Sequence, residues 1–473
     1  MCQNCQKTAK ATAYELTSDK LEVSKWNSLW SSYMFPQEDG TLQFGMGMGD
    51  KFCIGSYIDH ADLADKTVTF DMSLILRPFM DLLIRTTMES GIGDGNPGYT
   101  LYFFDNGSKI TVKLARLGED GKEIAVLAEP VDLTDIIDPW DYNRYEVGVF
   151  NEGENVHFMI AANGKRIIDC VDVAPGETYL RAGKFFFQGW HSVVRLRGTD
   201  SAVPSSIVKP VKTGEVNGVD MYDVSEVETI DTRLMATITT PRSFKASNGF
   251  TVNYRIYLPT HYDPAKKYPL QMHLHGGGLR GSDNMTQLMG DFNQLNMLVQ
   301  YQKQEEFIFI VPECPLDRFW TDSQRYDYQL GRYFINMKDT PEGEQTVALI
   351  ETVKSLAKEF SVDESRLYLS GASMGGTGSY DMLFRYTDVF AAALIGCGRT
   401  DVRTVEEAAK TPMYICHGSQ DASVPVQMSR DMVAALKELN ADYVYMEFEG
   451  RPHDFTTVED LLNGMKWVFS KTR

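Results

Sequence analysis

No run of 18 apolar residues occurs in the 473-residue chain, so no segment is long enough to span a bilayer as a helix. Cysteine is scarce, and its odd count of seven does not suit a complete disulfide framework. Cys314, Cys397 and Cys416 lie in or beside apolar runs and read as small core residues, while Cys2 and Cys5 form a CxxC with no second pair, in what reads as a disordered tail. Basic residues are outnumbered 46 to 65, giving a formal charge of −19. Such a surface repels phosphate backbones and anionic lipid, which excludes nucleic acid and membrane partners. Low-complexity runs, a Walker sequence, zinc-ligand spacing and clustered carboxylate pairs are all missing, and the chemistry is expected to need neither metal nor cofactor. Gly45-Met46-Gly47-Met48-Gly49 has the wrong spacing for a nucleotide fingerprint, and Gly91–Gly98 reads as a flexible turn. The start, Met1-Cys2-Gln3-Asn4-Cys5, lacks the basic-then-apolar design of a signal peptide. As written the chain is expected in the cytoplasm, with a trimmed end of a secreted or cell-surface protein as the alternative.

What is present divides the chain in two, as its length predicts. Residues 14–200 read as β structure, in short alternating runs such as Thr67–Met72 and Val156–Ile160. Asn106-Gly107 and Asn163-Gly164 tolerate the positive φ of tight turns and predict hairpins. Many strands with few helical stretches mean a sandwich or barrel. The segment from Tyr145 through Asn163-Gly164 to Phe185-Phe186-Phe187-Gln188-Gly189-Trp190 resembles concanavalin-like jelly rolls, a group in which some members bind or cleave sugars and others are purely structural. This half is therefore a β-sandwich and a candidate carbohydrate-binding or accessory domain. Trp190 and Tyr102 are candidates to stack on sugar rings, with packing in the core as the plainer account.

Residues 201–225, polar and containing Val203-Pro204-Ser205-Ser206 and Lys209-Pro210, fit a linker. From 226 to 473 the period changes. Strand patterns at Phe250–Leu258, Tyr268–Leu274, Phe307–Val311, Arg366–Leu369, Ala391–Ile395, Pro412–Ile415 and Tyr443–Phe448 become interleaved with helical ones at Glu344–Phe360, Val426–Leu439 and Val458–Phe469. That order predicts a doubly wound, mostly parallel sheet with its site at the carboxyl ends of the strands.

At one such end stands Gly371-Ala372-Ser373-Met374-Gly375, a G-x-S-x-G between a strand and a helix-like run. This is the nucleophile elbow of α/β-hydrolases, and it nominates Ser373. A helix-capping serine is the bland reading. In this fold the acid and then the histidine follow the serine, and only His417 and His453 lie beyond Ser373. If Asp421, in the loop His417–Pro425, is the acid, the base is His453 in Gly450–Asp454. Glu447, Glu449 and Asp454 are rivals for the acid, and His417 reads as a brace of its loop. Tyr268–Leu274 runs into His275-Gly276-Gly277-Gly278, where glycine lets amides approach a substrate oxygen. Gly277, or else Gly276, is the expected oxyanion donor together with the amide of Met374. His275 reads as a loop brace or a contact to substrate.

With these blocks in place, residues from about Phe250 to Arg473 resemble polysaccharide-acyl esterases (feruloyl and acetyl esterases) and the predicted peptidases grouped with them. The matching pieces are His275–Asn284, Val311-Pro312-Glu313-Cys314-Pro315, Gly371–Gly376, His417–Pro425 and Pro452-His453-Asp454. The resemblance implies Ser373, Asp421 and His453 as a triad and Trp320 as a wall of the substrate site; Leu279 departs from the acidic residue common there. Aromatic residues of Asp317–Thr340 (Phe319, Trp320, Tyr326, Tyr328, Tyr333, Phe334) are candidates for a lid or pocket lining. The function expected is a serine carboxylesterase acting on a small-molecule or oligosaccharide ester, acetyl or feruloyl. The alternatives are a serine peptidase with the same triad and a glycan-binding protein with an inactive hydrolase half.

Overall fold

Tyr145, Val147 and Val149 alternate along one strand with the exposed Arg144 and Glu146, and all three are buried. This period-two pattern builds the first part of the chain. The computed structural model describes residues 12–28, 34–44, 53–62, 64–76, 80–86, 97–105, 107–176, 181–190, 193–205, 207–228, 230, 232–327, 329, 332–453 and 456–473. It divides into two units, Met1–Lys209 and Pro210–Arg473.

In the first unit, an eight-stranded sheet holds Lys66–Leu76, Asn143–Glu152, Asn155–Ala162 and Lys165–Asp172, and a seven-stranded sheet holds Gly98–Asp105, Ile110–Leu117 and Lys184–Trp190. Their apolar faces share one cluster, in which Val68, Phe70 and Val147 meet Leu101, Phe103 and Phe187. Phe70 and Phe187 lie edge to face, with centroids 5.2 Å apart. The turn at Asn163-Gly164 has φ of +48° and +76° and joins two antiparallel strands, as the dipeptide predicts. The strands flanking Gly107 also pair antiparallel; Asn106 itself lies outside the described residues. Tyr102 is half-buried with the Lys113 ammonium over its ring, and Trp190 ends a strand, its side chain outside the described residues. Gly45–Gly49, most of Gly91–Gly98, and Cys2 and Cys5 also lie outside them.

The stretch expected as a linker contains a hairpin, Val211–Val216 with Val219–Asp223, whose Val219 and Met221 belong to the core of the second unit. The second unit is built on eight strands: β1 (Thr240–Lys245), β2 (Thr251–Tyr257), β3 (Tyr268–Leu274), β4 (Ile308–Glu313), β5 (Val362–Ala372), β6 (Ala392–Gly396), β7 (Met413–Gly418) and β8 (Tyr443–Phe448). They lie in the order β1-β2-β4-β3-β5-β6-β7-β8. β1 and β2 pair antiparallel, as do β2 and β4, and the remaining neighbours are parallel. β3, β4, β6 and β7 are buried along their whole length, as parallel strands covered on both faces must be. This is the α/β-hydrolase fold. Strand β1, the helix Phe292–Tyr301 and a small hairpin, Gln324–Asp327 with Arg332–Ile335, are elements that the sequence pattern does not announce.

Candidate active site

β5 ends at Ala372, and the helix Met374–Arg385 begins one residue later. Between them Ser373 holds φ +56° and ψ −116°, a strained conformation for a residue with a side chain. Neighbouring backbone fixes this turn. A Cβ on Gly375 would fall 1.8 Å from the Leu274 carbonyl oxygen, and one on Gly371 would fall 2.5 Å from the Gly375 carbonyl. The Ser373 amide donates to the Gly396 carbonyl (2.9 Å), which ties the turn to β6.

The chain then delivers two more loops to the same place. Asp421 lies beyond β7, and His453 lies between β8 and the helix Val458–Phe469, whose start is fixed by a capping box of Thr457 and Asp460. The two loops touch at Gly418, where a Cβ would meet the Pro452 carbonyl oxygen at 2.3 Å. Gln420 also donates its amide to the Arg451 carbonyl (3.0 Å). In consequence His453 Nε2 stands 2.9 Å from Ser373 Oγ, and His453 Nδ1 stands 2.6 Å from Asp421 Oδ2. Hydroxyl, imidazole and carboxylate form one hydrogen-bonded row.

Asp421 is wholly buried with no guanidinium or ammonium in contact among the described residues. Burial opposes its charge, but His417 and His453, followed by the Val424 amide, hold its carboxyl well below the usual carboxylate range. The Ser423 and Val424 amides each donate to Oδ1 at 2.8 Å. His417 Nε2 lies 3.1 Å from Asp421 Oδ2 and 3.0 Å from the Val424 carbonyl, both pure acceptors, so this nitrogen carries the proton. Its Nδ1 then accepts from Ser429 Oγ (2.7 Å). His417 is thus the brace its position suggests. For His453, burial works against the charged form, yet Asp421 and then Cys397 outweigh it and raise the basicity of the ring. Among the rivals, Glu447 is occupied by Arg430 (3.0 Å) and the Tyr445 hydroxyl (2.7 Å), and Asp454 lies outside the described residues.

The glycine loop after β3 approaches the elbow directly. A Cβ on Gly277 would lie 3.8 Å from Met374 Cβ, so the glycine loop packs against the residue that follows Ser373. Gly276 is corrected as a donor, because its amide is already given to Asp291 Oδ2 at 2.7 Å. Two further expectations are corrected by burial. His275 is fully buried: Nδ1 donates to the Gly276 carbonyl (2.7 Å), and Nε2 accepts from the Cys314 amide (3.0 Å). With both nitrogens engaged it braces the loop and offers a substrate nothing. Trp320 is only 3% exposed, donates its indole N–H to the His275 carbonyl (2.9 Å) and packs against Gly378. It supports the oxyanion loop from behind and does not wall the substrate site.

Sequence reasoning missed Asp291, Thr377 and Arg399. Asp291 adopts φ +51° at the start of a helix and holds the oxyanion loop, a role no spacing signals. Thr377 Oγ1 donates to the Ser373 carbonyl (3.1 Å) and accepts from the Arg399 amide (2.9 Å). The Cys397 sulfur joins Asp421 and His453 in a cluster of ligand atoms within 4.8 Å, but both other members are committed to the row just described.

The prolyl oligopeptidase family matches residues 328–409, a span that includes Ser373 and stops short of Asp421 and His453. No curated protein matches. Among solved structures, a thermostable esterase is similar at 23% identity, covering 70% of this chain and 90% of its own, with a TM-score of 0.46. A ferulic acid esterase from Anaeromyces mucronatus is 16% identical over 49% of this chain and 90% of its own (TM-score 0.37). An S-formylglutathione hydrolase from Staphylococcus aureus is 15% identical over 49% and 98% (TM-score 0.36). These scores are too low to establish a fold, which follows here from strand order. The site has the construction of a serine hydrolase.

Proposed function

We propose that the chain is a serine carboxylesterase working through an acyl-enzyme. The observation that carries this reading is the row Ser373–His453–Asp421, at 2.9 and 2.6 Å, at the start of the helix Met374–Arg385. Ser373 Oγ attacks the ester carbonyl while its proton passes to His453 Nε2. The amides of Gly277 and Met374 receive the developing oxyanion, and the start of the helix Met374–Arg385 adds its positive dipole end. As the tetrahedral intermediate collapses, the alcohol leaves with the proton from His453. Water, deprotonated by the same imidazole, then releases the acid and restores Ser373. Asp421 fixes the imidazole tautomer and stabilises its charged form.

A carbohydrate-linked acyl ester, acetyl or feruloyl, is the substrate class favoured by the resemblance of the second unit to polysaccharide-acyl esterases. Two sheets packed on one apolar cluster in the first unit are consistent with a jelly-roll β-sandwich that would engage the glycan. A peptidase with the same triad is the second reading, supported by the prolyl oligopeptidase match over residues 328–409.

A panel of 4-nitrophenyl acetate, butyrate and ferulate, acetylated xylo-oligosaccharides and short peptide amides, with Ser373→Ala as control, tests the choice. Turnover of peptide amides with no turnover of any ester would reject the esterase reading. Failure of a fluorophosphonate to label Ser373 in folded protein would reject both in favour of an inactive hydrolase half.

A further inference from the structure

Arg399 follows β6 at the carboxyl edge of the sheet, where Ser373, Asp421 and His453 also lie. Three contacts hold it. Its amide donates to Thr377 Oγ1 (2.9 Å), which in turn bonds the Ser373 carbonyl. Its Nη2 donates to the Ser423 carbonyl (2.5 Å), two residues beyond Asp421. Its guanidinium carbon sits 4.3 Å from the centroid of the Tyr333 ring, on the hairpin that follows β4. The cation is therefore clamped between the helix of the nucleophile, the loop of the acid and an aromatic face.

None of these partners is a carboxylate. Asp421 is the nearest acid, and its two oxygens are already filled by two imidazoles and two amides. Nε and Nη1 of Arg399 meet no acceptor among the described residues, and neither is sealed from solvent. Arg280, on the oxyanion loop, is similar: among the described residues it donates to the carbonyls of Gly277, Leu316 and Arg318 and to no carboxylate. In a chain of formal charge −19, arginines held at the site without a carboxylate partner need an explanation. Burial lowers the pKa of Arg399 despite the opposing charge of Asp421, which makes no contact with it, and a bound anion would relieve that penalty.

We infer that Arg399 is a specificity residue that binds a carboxylate carried by the substrate, through the guanidinium edge that Ser423 leaves open at the carboxyl end of the sheet. The Ser423 carbonyl takes one of the two Nη2 hydrogens, so one edge of the planar guanidinium, Nη2 with either Nε or Nη1, keeps both donors and matches a carboxylate in a paired, parallel geometry, while Tyr333 holds it from moving. The inference rests on the esterase reading and narrows its substrate to esters whose acyl or alcohol part is anionic.

Wild type and Arg399→Gln are compared on 4-nitrophenyl acetate, on mono-4-nitrophenyl glutarate (carboxylate in the acyl part) and on an O-acetylated galacturonic acid oligomer (carboxylate in the alcohol part). One of the two anionic esters is expected to lose about tenfold or more in kcat/KM relative to the acetate, mainly through KM, as loss of one charge-assisted pair implies. Which ester responds tells the acyl side from the alcohol side. If Arg399 only clamps the acid loop, all three substrates fall together and their ratios stay fixed, which overturns the inference. Fluorophosphonate labelling of Ser373 in the variant separates a misfolded site from an altered preference. A second measurement needs no variant: wild-type preference for the responding anionic ester over the acetate shrinks as salt rises to about 0.5 M, where charges on the exposed edge are screened. A salt-independent ratio would also overturn the inference. Absence of all esterase activity would instead sink the parent reading.

Discussion

Each unit buries an aspartate, and the two are satisfied in opposite ways. Asp71, 2% exposed in the first unit, is met by two guanidiniums: Arg144 at 2.7 and 3.1 Å and Arg197 at 3.0 Å. Asp421 in the second unit is met by two imidazoles and two amides, with no permanent cation. A carboxylate neutralised by arginine is chemically quiet and pins strands together. One held by imidazoles and amides keeps its charge available to stabilise a proton on His453. The same residue type is structural in one place and functional in the other because of what surrounds it.

Exchanging each carboxylate for an amide sharpens this contrast. Asp421→Asn is expected to lower kcat on 4-nitrophenyl acetate by about 10,000-fold, the size of a wrong-tautomer defect in a serine protease, while the thermal melt stays near wild type. A loss below tenfold would show that Asp421 does not orient the base. Asp71→Asn should do the reverse. Leaving two guanidiniums, one of them well exposed, without their carboxylate costs about 1–3 kcal/mol, read as a lower melting transition of the first unit, with kcat unchanged. A melt that does not move would remove the structural half of the comparison.

Acid offers a third way to separate the units. His273 and His275 are fully buried, and burial depresses their pKa to about 3 and 4, from an ordinary 6.5. Folded protein keeps them neutral where the unfolded chain would protonate them, so stability is present above about pH 6.5 and is lost as pH falls toward 4. Each contributes a slope of up to about 1.4 kcal/mol per pH unit. Urea unfolding at several pH values should show this slope in the second unit, reduced in His273→Gln; an unchanged slope in that variant would refute the assignment. The smallest effect is expected at the brace. His417→Phe removes one bond to Asp421 and should lower kcat by about tenfold with little change in KM.

The second unit was far more legible in the sequence than the first. Glycines at 371 and 375 around Ser373, and the chain order serine, aspartate, histidine, follow from a steric demand that few sequences meet by chance. β4, β6 and β7 announced themselves as near-continuous apolar runs, since both faces of a parallel sheet are covered. β1 did not, because an antiparallel edge strand of pattern Thr-Pro-Arg-Ser-Phe-Lys buries little. The hairpin inside the expected linker escaped for a related reason: its own pattern is mostly polar, with Val219 and Met221 in the core and Val216 packed against it.

The sequence by itself determined the α/β-hydrolase class of the second unit, its elbow and the candidates Ser373 and His453, with Asp421 among several possible acids, because these depend on local sterics and on chain order. Only the tertiary structure decided which neighbours were spent. That Gly276 has given its amide to Asp291, that His275 and Trp320 face inward, and that Arg399 reaches the site are consequences of loops 15 to 45 residues or more apart meeting in space. Hydrogen-bond capacity is finite, and which atoms retain any is settled by contacts that no local pattern encodes.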